Sequence, residues 1–229
     1  MITGISFGRG VIFHDSNVLA CAEVKSGVIH VWAERISLRT IGKLWLRLLF
    51  TLPWPYQLFH LGLFLYLLFP VWGAVNPWWV FVYAAGFHFL FPRRLKMFHG
   101  AEHKVFSYAG EKNLQALAAI KQADIVNGGC STNYVTYFFV CFLPAICFLP
   151  LPASVLIGGV GVLAGHFAQK HLRRQMKPLL ALSALLQRYV TTREPERLHL
   201  ETAIRSYVLL EHYRRRYGTP ARDEASIAS

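Results

Sequence analysis

Acidic residues are scarce in this chain, and along two stretches charge of either sign is missing altogether. Residues 48–92 and 125–169 contain no Asp, Glu, Lys or Arg. Over the whole chain 16% of residues are charged and 54% hydrophobic, against roughly 25% charged in ordinary soluble domains. The deficit is confined to two segments, which excludes a uniformly greasy core and points to membrane spans. Each segment has room for two helices of about 20 residues and a turn. Cysteine is also sparse: Cys21, Cys130, Cys141 and Cys147 form no CxxC pair. Cys141 and Cys147 fall inside an expected span, the other two on the expected cytoplasmic side, so no disulfide is expected. A short apolar run behind a basic start is missing too. No cleavable signal peptide is therefore expected, and the first membrane helices would direct insertion.

What the chain has in excess is positive charge, +12 net. Six Lys/Arg precede the first uncharged segment, six lie between the segments and twelve follow the second. The apolar turns around Asn76-Pro77 and Leu151-Pro152 have none. That is the positive-inside pattern, and it places both termini and the central loop of a multi-pass membrane protein in the cytoplasm. Membrane lipids, anionic headgroups among them, and membrane proteins are the expected partners. Topology accounts for the charge, so no nucleic-acid partner is expected.

Along the chain, residues 1–36 read as a small β unit, with Lys25-Ser26-Gly27 turning between two apolar runs. Residues 37–55 place Arg39, Lys43 and Arg47 on one helical stripe, an amphipathic helix at the inner membrane surface. A first membrane hairpin occupies 56–92, with Tyr56 and Trp72 at the two interfaces of its first span. A cytoplasmic loop of 93–133 holds a short helix over Asn113–Ile125 and a tight turn at Asn127-Gly128-Gly129-Cys130. A second hairpin takes 134–169, its last span rich in glycine for close packing. Residues 170–217 are cytoplasmic helices, the last begun by Thr192 as N-cap with Pro195 in its first turn. Residues 218–229 read as a disordered tail. The fold class is mainly α: a four-helix transmembrane bundle of two hairpins, with an N-terminal β unit and cytoplasmic C-terminal helices.

The most informative stretch is Phe98-His99-Gly100-Ala101-Glu102-His103-Lys104, at the inner end of the second expected span. On a helix His99 and His103 are one turn apart on one face, and Glu102 adjoins both. This His-x-x-Glu-His order inverts the His-Glu-x-x-His zinc-protease helix and resembles the inverzincin motif. Two imidazoles at this spacing can ligate one divalent metal, zinc first, with a third ligand from elsewhere and an open position for water. Glu102 would then act as general base. The alternative is structural: His and Glu bonding to Lys96, Lys104 or loop carbonyls at a helix end. His60 and His88, inside the spans, pair with neighbouring helices or serve a wet cavity.

Those residues resemble the signature of the YqhQ-like bacterial membrane proteins, a domain of unknown function (1385) labelled a predicted metal-dependent enzyme. Three further stretches agree. The hairpin at Gly27 is similar to that family's N-terminal β unit. Cys130 with Thr132 lies where the family has His-Pro-x-Cys-Gly-Thr before the third span. The run Thr191-Thr192-Arg193-Glu194-Pro195 resembles its Thr-Thr-x-Glu-Pro segment. The resemblance implies a metal at His99 and His103, and it puts Thr192 and Glu194 among the site's neighbours. The chain departs from the pattern at two places, which marks it as a divergent member. Asn127 and Gly128 stand where the family has a His, and Gln169 where it often has an acid. Cys130, or His166 near the end of the last span, is left to complete the metal shell, with His171 close by.

Two functions from different classes follow. One is a metal-dependent, membrane-embedded hydrolase at the cytoplasmic face, acting on a membrane-protein segment or a lipid-linked group. Arg93, Arg94, Lys96 and Lys104 would favour an anionic substrate. The other is a non-enzymatic membrane scaffold or assembly factor with a degenerate metal site. A transporter is the weaker third, since the uncharged segments lack the intramembrane acids of many coupled carriers.

Overall fold

The computed structural model describes residues 2–69 and 76–217. The expected tail at 218–229 and the end of the expected first span, with Trp72, lie outside the described residues. The chain is mainly helical with an N-terminal four-stranded antiparallel sheet, and it divides into two compact units. The first unit holds residues up to Leu52, Met97–Asp124 and those from Glu194 on; the second holds Pro53–Lys96 and Ile125–Arg193.

In the first unit the sheet is a meander of β1 (Thr3–Phe7), β2 (Gly10–His14), β3 (Val18–Lys25) and β4 (Val28–Arg35). The β3–β4 turn is the expected one, with Ser26 and Gly27 at φ of 49° and 79°. Two positive φ values are what a two-residue hairpin loop with the twist of its strands requires. β1 went unread in the sequence. Strand alternation sends Val11, Phe13, Val18 and Ala20 to one face of the sheet and Ile12, Leu19 and Cys21 to the other. Three helices cover the first face: α4 (Arg93–Ser107), α5 (Leu117–Gln122) and α9 (Arg197–Tyr217). The second face carries Leu44 and Leu48 of α1 (Leu38–Phe50).

Helix α1 forms where expected but faces differently. Two of its three basic side chains turn to the sheet: Arg47 pairs with buried Glu23 at 2.5 Å and lies over the Trp32 ring, and Lys43 pairs with Glu34. Glu23 and Glu34 point from β3 and β4 to the α1 side, and pairing them outweighs hydration of the cations. The exposed face is apolar instead, with Leu38, Ile41, Trp45 and Leu49. Ser37 caps the helix through its hydroxyl oxygen, which accepts the Thr40 N–H at 3.2 Å. Pro53 and Pro55 come after its end at Phe50. They flank the start of the next helix, where proline costs no hydrogen bond.

The second unit contains α2 (Trp54–Leu68), α3 (Trp78–Gly86) continued by a 3₁₀ turn to Leu90, α6 (Thr132–Ile146), α7 (Leu151–His171) and α8 (Lys177–Leu186). A π turn over Gln187–Thr191 ends α8. Among the described residues one single helix, α7, is long and apolar enough to cross a membrane. At 1.5 Å per residue the 15 residues of α6 reach about 22 Å. Among the described residues four long helices are thus not seen, and Pro92 and Pro150 interrupt the apolar segments after the 3₁₀ turn and before α7. Helices α6 and α7 pack closely. A Cβ on Gly158, Gly161 or Gly165 would run into Phe138, Cys141 or Tyr137.

The last helix starts later than expected, at Arg197. Pro195 disfavours helical backbone at Glu194, so a helix cannot run from Thr192 through that point. Thr192 closes the π turn instead, giving both its N–H and its hydroxyl proton to the Gln187 carbonyl at 3.0 and 2.6 Å.

Candidate metal centre

From Met97 on, α4 lies in the first unit and is buried on every side through Val105. Phe98, Ala101 and Val105, at the spacing of one helical face, enter the core with the sheet and α9. His99, Glu102 and His103 occupy the neighbouring face, 7%, 5% and 0% exposed. Polar groups so buried are stable only with partners.

These three side chains are each other's partners in part. His99 Nδ1 lies 3.4 Å from Glu102 Oε2, and the two imidazole rings are 4.3 Å apart, centre to centre. One ligating atom from each of the three falls within 4.8 Å of the others. Ser6 of β1 donates its hydroxyl proton to the same Oε2 of Glu102. Two imidazole nitrogens and a carboxylate oxygen are a donor set that suits zinc. The 3.4 Å separation of His99 and Glu102 matches the roughly 3.3 Å between neighbouring ligands of a tetrahedral ion. The residues present fit a divalent cation.

Lys104 has another task. Its buried ammonium donates to the Lys121 and Ala123 carbonyls at 2.8 and 3.0 Å and pairs with Glu194 at 3.2 Å. A cation on the last carbonyls of α5 satisfies groups the helix leaves open. Lys104 and Glu194 therefore fasten α4 to its neighbours. His199 of α9, which no motif singled out, packs its ring at a tilt against Phe98 with ring centres 4.6 Å apart.

The other candidates lie in the second unit. The Cys130 thiol bonds with Thr132, donating to Oγ1 at 3.2 Å and accepting the backbone N–H at 3.3 Å. His166 sits exposed on α7 with Nδ1 3.1 Å from the Tyr134 hydroxyl. Among the described residues it belongs to no cluster of three ligating side chains. His171, also exposed, packs at a tilt against the Phe167 ring. His60 has helix partners, its Nδ1 donating to the Tyr56 carbonyl at 2.6 Å and its Nε2 accepting the Tyr83 hydroxyl at 3.0 Å. His88 Nε2 lies 3.1 Å from Ser131 Oγ.

The two departures from the family pattern have clear structural uses. Asn127 gives its N–H to Gln187 Oε1 at 2.8 Å and accepts the Gly129 N–H on its own side chain. Gln169 donates to the Gly128 carbonyl at 2.9 Å and accepts the Tyr137 hydroxyl. Neutral amides here hold the 127–130 turn against α7 and the end of α8.

The residues missed in the sequence are Ser6 and its neighbour Gly4. The available signal was the alternation of Ile5 and Phe7 with small or polar residues, a strand pattern five residues long.

A family model described as "Protein of unknown function (DUF1385)" matches residues 73–212. No curated protein matches the chain, and no solved structure does.

Proposed function

The chain belongs to the DUF1385 family, whose function is unknown, and from that premise we propose a metal-dependent hydrolase of the bacterial inner membrane. The apolar helices α2, α3, α6 and α7 would form its membrane part as two hairpins, with both termini and the central loop cytoplasmic. The distribution of Lys and Arg supports that topology. One observation carries the chemistry: three buried ligating side chains of α4 converge with their donor atoms within 4.8 Å.

His99 and His103 would hold the cation through ring nitrogens, and Glu102 would supply the negative charge that offsets it. A divalent cation there would polarise a carbonyl or phosphoryl oxygen and acidify water. Glu102 also handles the proton. Its Oε2 accepts the Ser6 hydroxyl hydrogen and lies beside His99, so the other carboxylate oxygen would take the proton of an attacking water. Burial strengthens each of these interactions. The substrate class is a hydrolysable bond at the inner leaflet, in a membrane-protein segment or a lipid-linked group.

Glu102→Gln tests the assignment. It keeps shape and removes the base, so biological activity should fall by at least a hundredfold, at the low end of the range for general-base loss, while fold and abundance hold. Activity that survives this change would favour a scaffold that uses the cluster only for packing.

A further inference from the structure

Gly4 and Ser6 are two apart on β1, so both face the α4 side of the sheet, while Ile5 and Phe7 enter the cluster under α1. Their place is fixed by pairing: Gly4 lies opposite Phe13 and Ser6 opposite Val11. Phe13 and Val11 share one core with Phe98, Ala101 and Val105 of α4. The hydrophobic contact between sheet and helix thus brings β1 up to the Glu102 side chain.

What β1 presents there is specific. The Ser6 hydroxyl donates to Glu102 Oε2, the oxygen 3.4 Å from His99 Nδ1. Gly4 leaves open the space that the rest of the carboxylate fills. A Cβ at that position would stand 2.5 Å from Oε1 and 2.8 Å from Cγ of Glu102. One residue holds one oxygen, and the other makes room for its twin. Both lie outside the segment matched by the family, residues 73–212.

We infer that Ser6 and Gly4 are positioning residues of the metal centre, setting the rotation of the Glu102 carboxylate so that it faces the same point as His99 and His103. This rests on the metal reading above. A hydroxyl partner that orients a ligating carboxylate contributes to affinity without touching the metal, and losing such a partner weakens binding about 10- to 100-fold.

The test is cobalt(II) binding by the full chain in detergent, read from the ligand-field absorption and from competition with a coloured chelator. Melting without metal is measured alongside. Ser6→Ala should weaken binding about tenfold or more, and Ser6→Thr, which keeps the hydroxyl, should restore it. Gly4→Ala should weaken binding and alter the absorption band, and it carries the test if Ser6→Ala does not fold. Wild-type affinity in both Ser6→Ala and Gly4→Ala, whatever their melting, overturns the inference while the metal reading stands. A wild-type chain that binds no cobalt overturns both.

Discussion

Glu23 is a buried carboxylate on a β-strand, 3% exposed, yet it has an ordinary reason to stay charged. Burial pushes its pKa up, but hydrogen bonds from Arg47 and Lys25 outweigh that and hold it below the usual carboxylate range. Asp15 is held low in the same way, burial being outweighed by the Asn17 and Val18 N–H groups and by Arg214. A depressed folded-state pKa means stability that is complete above the unfolded value and lost as pH falls through the folded one. The first unit should therefore lose stability below about pH 4. Glu23→Gln should cost about 1.5–3 kcal/mol near neutral pH, since it removes the charge-assisted hydrogen bond from Arg47, and should flatten the acid limb of a melting-against-pH curve. An unchanged acid limb would mean that Glu23 does not carry the linkage. At this scale His99, Glu102 and His103 were legible, because helical spacing is local. Ser6 was not: its bond to Glu102 spans 96 positions, and no local pattern encodes a partner that far away.

Among elements, the sequence located α1 but misjudged its faces. Arg39, Lys43 and Arg47 make a basic stripe by spacing alone. Whether such a stripe meets headgroups or a sheet depends on where Glu23 and Glu34 end up, and that is set by strand register. The glycines of α7 were easier. Their use in close packing follows from size, and the structure sets Gly165 against the Tyr137 ring and Gly161 against Cys141. Gly165→Leu should separate α6 from α7 and lower the melting temperature of the detergent-solubilised chain by several degrees, as overpacking costs about 1–3 kcal/mol. Gly159→Leu, at a position where a Cβ meets nothing, should leave it nearly unchanged. Equal effects would remove the packing role. The start of α9 was misplaced by four residues because Thr192 looks like a cap in isolation, and Pro195 was read as helical when it bars the approach.

For the molecule as a whole, the charge pattern says more than helix length does. Only α7 is both long and apolar enough for a full crossing among the described residues, while every Lys and Arg falls outside the two uncharged segments. If both hairpins cross, a phosphatase reporter active only outside the cytoplasm should be silent at Gly110 and active just after Leu151. Activity at Gly110 would invert or abolish the topology. Sequence alone yielded the mainly helical content and an N-terminal β unit, since composition and periodicity are properties of segments. The joining of β1 to α4 was beyond it, because that contact arises from the shared core of Phe13, Val11 and Phe98.

The central claim is that α4 holds a divalent cation, and elemental analysis of the purified chain tests it most directly. The wild-type protein should carry about one zinc or similar ion per chain, and chelation should lower its melting temperature. His99→Ala/His103→Ala should carry almost none at comparable yield. A wild-type chain free of metal, whose melting does not respond to chelator or to added zinc, would contradict it.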